Sequence, residues 1–94
     1  MRAKRVDDNQ SAIVKALRQA GVSVQSLASI GNGCPDLLLG FQGKLYLFEI
    51  KDGSKFQSQQ QLTPDQIKWH SEWTGSPVHV VNSLDGALKA LGIR

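Results

Sequence analysis

An α/β fold, one sheet with helices packed on it, is the class that this 94-residue sequence predicts. Three observations carry the prediction. Apolar residues recur at helical spacing near both ends of the chain. A nearly unbroken apolar run, Leu45-Tyr46-Leu47-Phe48-Glu49-Ile50, lies mid-chain, as a strand in the middle of a sheet would. Gly- and Pro-containing turn signals separate these segments. The expected order is α-β-β-β-α-β-α.

Residues 1–7 read as a flexible basic arm, and residues 8–94 as a single domain. In the first helix, residues 8–20, Ile13, Val14, Leu17 and Ala20 fall on one stripe, Gly21 is a suitable stop, and Asp7 or Asp8 can cap the start. Val22 and Val24 alternate with polar residues toward Leu27, which suggests a strand exposed on one side. Gly31-Asn32-Gly33-Cys34-Pro35 is a turn that tolerates positive φ. A second strand is expected over residues 36–39, a hairpin connection over 40–44 with Gly43 in the turn, and the central strand over 45–51. Residues 52–61, DGSKFQSQQQ, form a polar, mobile segment. Thr63 is placed to cap a second helix ending near Trp73, with Pro64 at its favoured first position and Asp65 complementing the helix dipole. Gly75 to Pro77 breaks that helix. A short strand over 78–81 and a closing helix over 83–91 complete the chain.

Composition bounds the function. An apolar fraction of 40% and charged residues at 20% suit one core and argue against disorder. No apolar run approaches the roughly 20 residues that span a bilayer. The basic start, MRAKRVDDNQ, has no apolar stretch behind it, so no secretory signal is expected. Cys34 is the sole cysteine, which excludes an intrachain disulfide and a cysteine metal cluster, and suits a reducing, cytoplasmic setting. The net charge of +3 and pI near 9.3 lean toward an anionic partner. Arg2, Lys4 and Arg5 cluster at the start, while Lys55 and Lys68 flank the strand carrying Lys51. Such groups make phosphate contacts, or simply solvate a surface.

The central strand carries the chemistry. Side chains alternate along a strand, so Glu49 and Lys51 share a face about 6–7 Å apart. Two charges on an apolar strand need partners, because an unpaired buried ion costs several kcal/mol. If the preceding strands pair as a hairpin, Asp36 emerges near the same end of the sheet as Glu49. Two carboxylates suit Mg²⁺, which prefers oxygen ligands and keeps several waters. Lys51 beside them can orient or deprotonate a water, or hold a phosphate oxygen; the residues leave both roles open.

Gly33-x-Pro35-Asp36, followed thirteen positions later by Glu49-Ile50-Lys51, resembles the P-D…(D/E)-x-K signature of restriction-like nucleases. The likeness extends to Asn9-Gln10-x-x-Ile13, Leu17-Arg18-x-x-Gly21 and Leu62-Thr63-Pro64-Asp65-Gln66-x-x-Trp69. Over residues 7–82 the chain is similar to the virus-type replication-repair nuclease (VRR-NUC) family. The resemblance implies a restriction-endonuclease-like αβββαβ core with a mixed central sheet flanked by helices. It implies metal binding by Asp36, Glu49 and the Ile50 carbonyl, with Mg²⁺ as the ion and Mn²⁺ as a substitute. Lys51 would be catalytic, and Gln66 an auxiliary site residue. Many relatives carry a Glu on the first helix, where this chain has Gln10, and that departure bears on the first-helix contribution. The implied activity is a metal-dependent endodeoxyribonuclease acting on branched DNA such as four-way junctions, as a homodimer; the charge distribution makes Arg5, Lys55 and Lys68 the candidate DNA contacts, and no membrane partner is expected. Two rivals follow from the residues: a non-catalytic DNA-binding module on the same fold, motivated by Gln10, and a protein-interaction domain with a vestigial site.

Other features have plainer readings. His70 and His79 lack zinc-ligand spacing and read as structural or solvated. Trp69 and Trp73, one helical turn apart, read as core or dimer surface before they read as a base-stacking platform. Leu84, Leu88 and Leu91 are candidates for either the core or a dimer face. Cys34 reads as packing.

Overall fold

The computed structural model of the protein describes residues 9–93. The expected arm, Arg5 within it, and the proposed caps Asp7 and Asp8 lie outside the described residues. The elements are α1 (Gln10–Gln19), β1 (Ser23–Ser26), β2 (Leu37–Phe41), β3 (Lys44–Ile50), a 3₁₀ turn (Gln57–Gln59), α2 (Pro64–Glu72), β4 (Val78–Val81) and α3 (Leu84–Ala90). The strands form one mixed sheet in the order β1-β2-β3-β4. β1 and β3 run antiparallel to β2, and β4 runs parallel to β3. A parallel neighbour cannot be reached by a tight turn, so α2 makes the crossover between β3 and β4. Among the described residues, no helix is long and apolar enough to cross a membrane.

The register sorts side chains onto two faces. Leu37 pairs with Phe48 and Leu39 with Tyr46. With Ile50 and Val81 they meet Ile13 and Leu17 of α1, Val22, and Ala87 and Leu91 of α3, in one apolar cluster. Leu17, Leu39, Phe48, Ile50 and Ala87 are fully buried. Each large side chain there is worth roughly 1.5–3 kcal/mol of transfer free energy, so this face holds the fold together. Leu91 belongs to the core and Leu88 packs on it, whereas Leu84 is 38% exposed.

Alternation then turns Glu49, and Asp36 just before β2, toward the opposite face. At that end of the face α2 brings Gln66 and His70 against Glu49. Its first turn is fixed by a complete capping box: Thr63 Oγ1 accepts from the Gln66 amide at 3.2 Å, and the Gln66 side chain accepts from the Thr63 N–H at 2.9 Å. Ser83 caps α3 by accepting from the Gly86 N–H.

Two expectations change. The N-cap of α1 is Asn9, and its side chain makes no cap bond. The hairpin between β2 and β3 is tighter than residues 40–44, because Gly40 and Phe41 stay in the strand and only Gln42 and Gly43 turn. Both adopt positive φ, 52° and 78°, as a two-residue turn matched to strand twist requires. Residues 52–61 hold internal bonds such as Gln60 Nε2 to the Lys55 carbonyl, and Asn82 Nδ2 donates to Gln60 Oε1. Trp69 and Trp73, read as core or surface, lie outside the apolar core cluster. They stack on each other, centroids 4.6 Å apart, and Trp73 is 47% exposed.

Candidate functional site

Asp36 is set by the turn before it. Gly31, Asn32 and Gly33 all hold positive φ. A Cβ on Gly33 would collide with the Asp65 carbonyl, so glycine is what lets this turn press against the start of α2. Pro35 and Asp36 follow, buried. The Asp36 N–H donates to the Phe48 carbonyl at 3.0 Å, and its carbonyl accepts from Leu27 at 2.8 Å, extending the pairing on both sides. Its Oδ2 accepts the backbone N–H of Ile50 at 2.6 Å. This charge-assisted bond binds one carboxylate oxygen to the end of β3.

Glu49 is fully buried, yet it is solvated by the protein. Gln66 Nε2 donates to its Oε2 at 3.1 Å. The other end of that amide, Oε1, accepts from Lys51 Nζ at 2.9 Å as well as from the Thr63 N–H. The orientation follows from chemistry: an ammonium offers only donors and a carboxylate only acceptors, so the amide can lie between them one way round. Gln66 thus transmits charge complementarity from Lys51 to Glu49 while closing the capping box. Lys51 is 8% exposed and lines a surface cleft with Gln60, Val80 and Asn82, which gives it an approach from the β4 side.

Two residues that sequence reasoning passed over belong here. His70 Nε2 lies 3.4 Å from Glu49 Oε1. The overlooked signal was its spacing from Gln66, four residues on, which puts both on one helical face. Asn9 Nδ2 donates to the Lys51 carbonyl at 3.1 Å, and at 3.4 Å to the carbonyl of Asn82. It clamps the chain where Lys51 leaves the sheet.

The remaining expected residues divide. Gln10 is 5% exposed, and its Oε1 has no hydrogen-bond partner among the described residues. Ile50 is fully buried and contributes its N–H to Asp36. Lys55 and Lys68 are exposed on the surface. His79 packs against the rings of Tyr46 and Phe48, away from this network.

Among the described residues, no three of His, Cys, Asp and Glu are placed to hold a metal by themselves. Two carboxylates, Asp36 and Glu49, are the donors that could hold a cation. A pair of this kind suits an ion that completes its shell with water and substrate oxygens, and does not suit a closed structural zinc site. No family model, curated protein or solved structure matches the chain. The functional reading therefore rests on this geometry and on the motif likeness.

Proposed function

We propose that the protein is a Mg²⁺-dependent, structure-selective endonuclease that hydrolyses phosphodiester bonds in branched DNA such as four-way junctions. In this reading the sheet and α2 are the restriction-endonuclease-like core. The observation that carries it is the convergence of Asp36, Glu49 and Lys51 at one end of the sheet, with Gln66 bonded to both Glu49 and Lys51.

Asp36 and Glu49 would hold the cation, with the Ile50 carbonyl beside them, and Mn²⁺ would substitute for Mg²⁺. When bound, the ion supplies positive charge at the scissile phosphate and acidifies the attacking water. Lys51, oriented by its bond to Gln66, would hold a phosphate oxygen as an ammonium or, once it has released its own proton to solvent, take the water's. Asp36 is held at one oxygen by the Ile50 N–H, and Glu49 at one oxygen by Gln66, which limits the reorganisation needed as substrate arrives. Lys55, Lys68 and Arg5 are proposed phosphate contacts, which makes binding fall steeply with salt. A twofold homodimer with paired sites is part of this reading.

The test is incubation with four-way, flap and linear DNA in Mg²⁺, with Lys51→Ala as control. Cutting of branched DNA at a rate about 10²–10⁴-fold above the variant supports the enzyme. Gln10 favours a second reading, a DNA-binding module that does not cut, because a neutral amide stands where many relatives of the resembled family carry an acid. Junction binding that persists in EDTA, without cutting by the intact protein, would select that reading instead.

A further inference from the structure

We infer that His70 is a positioning residue for Glu49, acting with Gln66 as the second arm of a clamp that fixes the rotation of the buried carboxylate. The inference rests on the metal-dependent reading above. Glu49 is fully buried, and its two oxygens face two side chains of one helix: Oε2 receives Gln66 Nε2 at 3.1 Å, and Oε1 faces His70 Nε2 at 3.4 Å. Residues four apart on a helix stand one above the other, so the arms approach from a single rigid element. Gln66 alone leaves the carboxylate free to swing about the bond to its own stem. A second contact at the other oxygen removes that freedom.

His70 is itself well placed to act as a fixed arm. The Trp69 ring meets it edge-on, centroids 6.3 Å apart, and Trp69 is backed by the stacked Trp73. The tryptophan pair then has a role in the site without touching a base: it buttresses the imidazole. The 3.4 Å separation is longer than a good hydrogen bond, an approach that can tighten when the carboxylate takes up a cation. Outer partners of this kind commonly set metal affinity by 10–100-fold.

The test is a titration of the intact protein with Mn²⁺ alone, followed by electron paramagnetic resonance of the free ion, comparing the parent with His70→Leu, His70→Gln and His70→Asn. Circular dichroism in EDTA checks folding. Gln carries its amide nitrogen about as far from the backbone as Nε2 of histidine, whereas Asn is too short to reach Glu49. The expected result is Mn²⁺ binding about 10–100-fold weaker in His70→Leu and His70→Asn, and within a few-fold of the parent in His70→Gln. Equal binding by all four proteins would overturn the inference, as would equal weakening of all three variants, which would mean packing alone. If His70→Leu does not fold, the Gln and Asn variants decide the matter by the same contrast. A parent that binds no Mn²⁺ would overturn the metal-dependent reading too, and that outcome is visible before any variant is compared.

Discussion

Asp36 Oδ2 accepts the backbone N–H of Ile50 at 2.6 Å, across the end of the β2–β3 hairpin. The carboxylate therefore serves two purposes. It satisfies a main-chain donor in a fully buried residue, and in the proposed function it is a cation ligand together with Glu49.

Those two purposes separate by substitution. Asp36→Asn can still offer a carbonyl oxygen to Ile50 but lacks the charge, so it should fold like the parent and lose cleavage and Mn²⁺ binding. Asp36→Ala strands a buried N–H, and should lose a further 1–3 kcal/mol or so of stability. Urea denaturation of both variants, beside a metal titration, checks the contrast. Equal stability of the two would show that the Ile50 bond contributes nothing.

Gln66 makes a sharper case. Gln66→Glu keeps an acceptor for the Thr63 N–H, since Glu is equally suited to the capping box. It replaces the donor facing Glu49 with a second carboxylate. Helix α2 should persist by circular dichroism while activity falls by at least about 10²-fold, the scale of a misplaced catalytic group. Gln66→Leu should lose both, with roughly 1–3 kcal/mol of destabilisation.

Gly33→Ala tests the turn that leads to Asp36. At φ +82° an added Cβ is strained by about 1–2 kcal/mol, and it collides with the Asp65 carbonyl besides. The variant should melt earlier and lose activity, because the first turn of α2 must move and takes Gln66 with it. A control at Gly43, also at positive φ but with open space around it, should show the strain without the loss of activity.

A pH experiment addresses the segment after β3. The Ser54 hydroxyl and then the Ser54 N–H hold the Asp52 carboxyl below its ordinary value, with burial opposing them and the charge of Lys55 adding the least. A depressed carboxyl stabilises the fold above its unfolded value, and that contribution is lost as pH falls through the folded one. Ser54→Ala should raise the Asp52 midpoint in a carboxyl NMR titration. Its stability deficit at neutral pH should shrink as the solution is acidified through the carboxylate range.

Much of this site was legible because its parts are local. Strand alternation placed Glu49 and Lys51 together, and a hairpin bracketing Asp36 brought it alongside. The cap of α2 could be read from Thr63-Pro64-Asp65-Gln66 directly. What escaped depends on distance in sequence or on exceptions to preference. Nothing near Asn9 shows that its amide reaches Lys51, 42 residues away. His70 looked solitary because its partner Glu49 lies on another element. Gln42 took a left-handed turn conformation that its residue type seldom adopts, since the strands on either side fix the loop at two residues.

The amide of Gln66 sits in the first turn of α2, and helix ends are the places where proteins open first. Closing that turn and aligning Lys51 with Glu49 are one event. Brief fraying would uncouple the charges while the apolar face of the sheet, on the far side, stays intact. The molecule should therefore have two thermal thresholds, the site failing at a lower temperature than the fold. Hydrogen exchange at the Gln66 N–H would report the first, and loss of protection in β3 the second.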